Sequence, residues 1–115
     1  MKISDSELKN FVNNPENKIE LGQCDSNAHK VYTEFQAEIH VGYAKSHKDG
    51  ISSADTLHYW NVKKYLSGSG EEVEQLIDIY NYKEDRVLKY FNHNGKKQSI
   101  EDFKNYVKMN NEDYA

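Results

Sequence analysis

Between Lys30 and Tyr43 (KVYTEFQAEIHVGY) the chain alternates, with Val31, Thr33, Phe35, Ala37, Ile39, Val41 and Tyr43 on odd positions. The even positions carry Lys30, Tyr32, Glu34, Gln36, Glu38, His40 and Gly42. A strand points successive side chains to opposite faces, so a period of two predicts one apolar face and one wet face. The run therefore predicts a long antiparallel strand at the centre of a sheet that is covered on one side.

The flanking patterns fill in the rest. At the start, Ser4 can cap a helix with Glu7 at the reciprocal position, and Ile3 and Leu8 form the flanking hydrophobic staple. Leu8, Phe11 and Val12 line one face, and Asn13-Asn14-Pro15 stops the helix because proline pushes its predecessor out of helical space. Lys18 to Gln23 predicts a short strand, followed by a polar turn at Cys24-Asp25-Ser26-Asn27. A loop from Lys45 to Asp55 contains the turn signal Asp49-Gly50. Residues 56–66 and 71–82 fit either period. Their β-branched and aromatic residues, with Ser67-Gly68-Ser69-Gly70 between them, favour two strands. Lys83 to Arg86 reads as a polar turn into a strand over Val87–Asn92, and Asn94-Gly95 as a tight turn. A last helix starts at Ser99, with Asp102 at the capping-box position and Ile100, Phe103, Tyr106 and Val107 as its stripe, which runs out at Met109-Asn110-Asn111. The sum is an α+β domain spanning residues 1–115: a small antiparallel β-meander of about five strands with N- and C-terminal helices packed on one face.

Composition sharpens this picture. Leu, Ile, Val and Phe make only 24 of 115 residues, so the core is thin and nine Tyr with Trp60 must supply much of the buried area. The net charge of −4, with no basic tail, argues against nucleic acid and suits a basic protein partner. One cysteine excludes an internal disulfide and fits a reducing compartment. No apolar run reaches the length of a membrane span and the Met1 end lacks a signal-peptide core, so no membrane association and a cytoplasmic location are expected.

Candidate chemistry is sparse. His40 follows Glu38 and Glu34 along the wet face of the long strand, a potential acid–base row that a solvated surface explains equally well. The five histidines, at 29, 40, 47, 58 and 93, show no ligand spacing, so neither a metal nor a cofactor is expected. A strand ending at His93, a turn at Asn94-Gly95 and a helix resembles the ββα arrangement of metal-dependent nucleases. That helix offers only Glu101 and Asp102, both accounted for by helix capping and dipole, so a hairpin turn is the expectation. Cys24, in a polar turn five residues before His29, lacks an identifiable orienting partner and reads as a free thiol. The Ser67–Gly70 turn lacks the lysine and helix of a phosphate loop.

The acidic segment carries the most weight. Six acids (Glu71, Glu72, Glu74, Asp78, Glu84 and Asp85) face Lys83 alone, and Tyr80 and Tyr82 interleave with them. Charge speeds encounter with a basic surface and tyrosine supplies rigid contact area. In size, charge and composition the chain resembles the small acidic inhibitors that bacteria use against toxins, and some phage anti-defence proteins. That resemblance implies a non-enzymatic binding protein that blocks a basic partner, a toxin or defence enzyme. Its expected contacts are Asp78, Tyr80, Tyr82, Glu84 and Asp85, then Tyr32, Glu34 and Glu38. Two alternatives stand beside it. One is a cone-shaped ligand-binding or enzyme domain with a pocket lined by His40, Tyr43, His58 and Trp60. The other is a homodimeric structural protein associating through its Tyr-rich face or an open sheet edge.

Overall fold

The computed structural model describes residues 1–48, 50–83 and 89–110, with only the backbone of Phe91 and of residues 106–110. Among the described residues, three helices, α1 (Asp5–Asn13), α2 (Cys24–Phe35) and α3 (Ile100–Asn110), accompany five strands. The strands are β1 (Glu38–Lys48), β2 (Ile51–Ser52), β3 (Thr56–Leu66), β4 (Glu72–Ile77) and β5 (Lys89–Gln98), with short 3-10 turns at Pro15–Asn17 and Ile79–Tyr82.

Both terminal helices start where capping chemistry places them. Ser4 Oγ accepts the Glu7 N–H at 3.1 Å, and Ser99 Oγ accepts the Asp102 N–H at 3.1 Å. Ile3 and Leu8 close the staple in the core, and Gln75 grips the Ile3 backbone at both N–H and C=O, each at 2.9 Å. Asn14 is extended ahead of Pro15 and ends α1.

The alternating run is not one strand. Its first half belongs to α2, which Gln36 ends in the left-handed region (φ 57°) with its N–H bonded to Tyr32 O, and the strand begins only at Glu38. Cys24, Asn27, Ala28, Val31 and Phe35 recur at helical spacing, and α2 lays this stripe on the sheet. The expected turn at Cys24–Asn27 is therefore the first turn of a helix. Lys18–Gln23 forms no strand: Lys18 is left-handed (φ 52°) and closes a 3-10 turn. Asn94-Gly95 is no turn either, since both pair with β1 inside β5. Strands at 56–66 and 72–77 fulfil the β reading, though residues 79–82 coil into the 3-10 turn. The expected 45–55 loop shrinks to a reversal at Gly50 (φ 81°) between β1 and β2. The expected turn over 83–86 and strand over 87–92 fall largely outside the described residues, as do Asp49 and the side chains of Tyr106 and Val107.

The fold is α+β, built on an antiparallel sheet that curls as a half-barrel. β1 is central, flanked by β3 and β5, and β4 pairs with β3. β5 thus returns beside β1, so the connection after β4 crosses from one edge of the sheet to the other. Ile39, Tyr59 and Ala28 pack with Phe103, while Leu8, Val12, Val31 and Ile77 form the larger cluster under α1. Gly42 and Gly95 sit face to face. A Cβ on Gly42 would collide with the Asn94 carbonyl, and one on Gly95 with the Trp60 ring. This pairing brings the start of β3, the end of β4 and the start of β5 to one end of the sheet.

Candidate active site

Cys24, a free thiol, is the first residue of α2. The leading N–H groups of a helix have no partner inside it and carry the positive end of its dipole, which favours a developing oxyanion there. The Gln23 side chain makes no capping bond, and of these groups the Ser26 N–H is taken by Asp25 Oδ1 at 2.8 Å. The segment before Cys24 is pinned by Tyr80, whose hydroxyl takes the Asn27 amide at 2.8 Å and donates to Glu20 O at 3.1 Å. The Gln23 backbone N–H also reaches it. Burial pushes the Tyr80 hydroxyl well above its ordinary value, so it stays neutral.

His58, on β3, is buried beside this helix start. Its Nε2 lies 2.7 Å from Asp78 Oδ2, in the residue that follows β4, and His93 Nε2, from β5, lies 2.9 Å from the same oxygen. Asp78 is only 2% exposed. Burial opposes its charge, but hydrogen bonds from His58 and then His93 hold its carboxyl below the ordinary range. Burial would also lower His58. The bond and charge of Asp78, together with the neighbouring Cys24 thiol, outweigh it and raise the ring to about 9. Aromatic rings fix the imidazoles: Tyr90 stacks on His58 at 4.0 Å and Trp60 meets His93 edge-on at 4.8 Å. Burial and the Asp78 charge push the Tyr90 hydroxyl up to about 12.

A β-bulge aims His93. Tyr43 pairs with Asn94 but Lys45 with Phe91, so β5 carries one extra residue, and Asn92 adopts a left-handed φ of 56°. Residues three apart on a regular strand point to opposite faces. The extra residue puts Tyr90 and His93 on one face, where both meet His58.

His58, Asp78 and His93 each offer an atom within 4.8 Å of the others, which is the minimum for a cation site. An ion about 2.0–2.1 Å from each ligand keeps tetrahedral neighbours roughly 3.3 Å apart. The 2.7 and 2.9 Å separations are instead the lengths of shared protons.

The residues expected to contact a partner do not form one surface. Asp78 and Tyr80 are each 2% exposed and cannot reach a partner. Asp78 turns inward because it caps the 3-10 turn, with Oδ1 accepting the Tyr80 N–H at 3.4 Å, and because the histidines neutralise it. Tyr82 is half-buried, lining an open cleft of about 440 Å³ with Asp5, His47 and Tyr90. Glu84 and Asp85 lie outside the described residues. Tyr32 and Glu38 come together in a cleft of about 270 Å³ with Lys97 and Gln98, whereas Glu34 lies beside Phe11 in a separate one. Glu38 does approach His40, at 3.4 Å, but also pairs with Lys97 at 3.3 Å and Lys64 at 3.6 Å. These bonds and charges hold its carboxyl low against the opposing effect of burial. Of the expected pocket lining, His58 and Trp60 are adjacent and buried, His40 lies beyond Trp60, and Tyr43 is exposed. Reading the sequence missed Cys24 and His93 as partners of His58. The one usable signal was the helical stripe that begins at Cys24. No family model, no curated protein and no solved structure matches the chain.

Proposed function

We propose that the protein is a cysteine-dependent acyl-transfer enzyme that cleaves an amide or ester bond, with Cys24 as nucleophile, His58 as acid–base and Asp78 as the group that orients it. The observation that carries this reading is a thiol at a helix start in the neighbourhood of His58, whose ring is bonded to a buried carboxylate. Nucleophile, base and orienter stand in the order that covalent acyl transfer requires. At neutral pH a ring raised to about 9 keeps its proton. A positive imidazolium near the sulfur is placed to give its proton to the leaving group.

Sulfur then attacks the substrate carbonyl carbon and the carbonyl π pair moves to oxygen, which faces the N–H groups that open α2. The oxyanion collapses, the bond to the leaving nitrogen or oxygen breaks, and His58 gives that atom its proton. A thioester on Cys24 remains. Water attacks it while neutral His58 takes the water proton, and collapse releases the acid and restores the thiolate–imidazolium pair. Asp78 holds the ring and balances its charge throughout.

Iodoacetamide labelling of Cys24, followed by mass spectrometry, tests this without a known substrate. At pH 7 the wild-type rate should exceed that of folded His58→Asn by about tenfold or more. Equal rates in the two proteins overturn the reading.

A further inference from the structure

The acid–base reading uses one of the two histidines on Asp78 and leaves the other without a task. His93 is costly to place. It needs a bulge, a left-handed Asn92 and the clearance for Trp60 that Gly95 provides. Strain of this kind persists where the surrounding structure imposes it, and it concentrates at working sites. All of it serves to set the Nε2 of a second imidazole on the oxygen that already serves His58.

Two donors on one carboxylate oxygen compete for the same electron density. When His58 is neutral, the second donor continues to stabilise the buried anion, so loss of the His58 proton is less costly than it would be on an isolated carboxylate. An acid–base group works best when it can both hold and release its proton near the operating pH. Resting on the proposed acyl-transfer reading, we infer that His93 is a positioning residue that shares Asp78 with His58 and so limits how tightly His58 holds its proton. The other groups facing this cluster are the Cys24 thiol from α2, the Tyr80 and Tyr82 hydroxyls from the 3-10 turn and the Tyr90 hydroxyl from β5 itself. Burial and the neighbouring charges push all three phenols up from an ordinary value already far above neutrality, so none titrates in the range that matters.

The test is an NMR titration of the His58 ring in wild type, His93→Leu and His93→Gln. His93→Leu removes the donor, and its His58 midpoint should rise by on the order of half a pH unit. His93→Gln keeps an amide N–H near the Nε2 position and should stay close to wild type. An unmoved midpoint in His93→Leu, or a fall, overturns the inference. If His93→Leu does not fold, ring ¹⁵N shifts in the wild type decide. The inference needs a proton on His93 Nε2 across neutral pH, and the Nδ1–H tautomer overturns it. The midpoint does not depend on Cys24 reactivity, so the two failures separate. A midpoint that rises while labelling ignores His58 sinks only the acyl-transfer reading. A fixed midpoint with His58-dependent labelling sinks only the role of His93.

Discussion

Replacing Asp78 by Asn keeps the size and most of the hydrogen bonding of the side chain but removes the charge that holds the proton on His58. In the folded protein that proton leaves near pH 9, whereas an unfolded histidine releases it near 6.5. A raised value means stability that is fully present below pH 6.5 and lost as the pH climbs through 9. Integrating between the two values gives about 3 kcal/mol at pH 6, about 2 at pH 7.5 and a few tenths at pH 9.5. Cys24 shares in raising His58 and burial opposes both, so this figure is the net of the three and the share of Asp78 is of the same order. The destabilisation caused by Asp78→Asn should therefore shrink by roughly 2–3 kcal/mol between pH 6 and pH 9.5. Trp60, the single tryptophan, packs beside His93 and reports on this part of the core. Urea unfolding followed by its fluorescence at the two pH values measures the difference. A cost that is the same at both pH values would refute a buried ion pair between His58 and Asp78, leaving only a neutral hydrogen bond.

Two further changes test the scaffold around the site. Gly42→Ala drives a methyl group into the Asn94 carbonyl of the neighbouring strand and should lower the urea midpoint by an amount equivalent to about 1–3 kcal/mol, whereas Gly50→Ala, whose Cβ would meet nothing, costs only its left-handed backbone. Tyr80→Phe removes the hydroxyl that bonds Asn27 and Glu20, which should cost about 1–2 kcal/mol and slow labelling of Cys24 by loosening the start of α2, and an unchanged labelling rate would show that Tyr80 only packs.

Much of the frame was legible because its causes are local. Ser4 with Glu7 and Ser99 with Asp102 place both terminal helices through contacts three residues apart. Residues 56–66 and 72–77 became strands as β-branched and aromatic composition required. The 30–43 run misled because Val31, Thr33 and Phe35 satisfy a period of two, while Cys24, Asn27, Ala28, Val31 and Phe35 satisfy 3.6. Polar Asn27 conceals the second pattern: it is buried, bonded to Tyr80 and the Glu20 carbonyl, a role that shows only once the chain is folded.

The site itself lay beyond sequence reading. His58 and Asp78 are 20 residues apart, and Asp78 and His93 are 15 apart, distances over which no helical or strand period relates side chains. The acidic segment looked like a docking surface because charge is normally solvated, yet Asp78 is buried because two imidazoles replace its water. The amino-acid sequence by itself determined the fold class, the two terminal helices and the strand character of the middle of the chain, since capping, periodicity and β-branching act within a few residues. Only the tertiary structure decided that Cys24 opens a helix, that β5 returns beside β1, and that His58, Asp78 and His93 share one proton-rich cluster. Those outcomes depend on which strands pair, where a bulge falls and what a buried charge finds beside it.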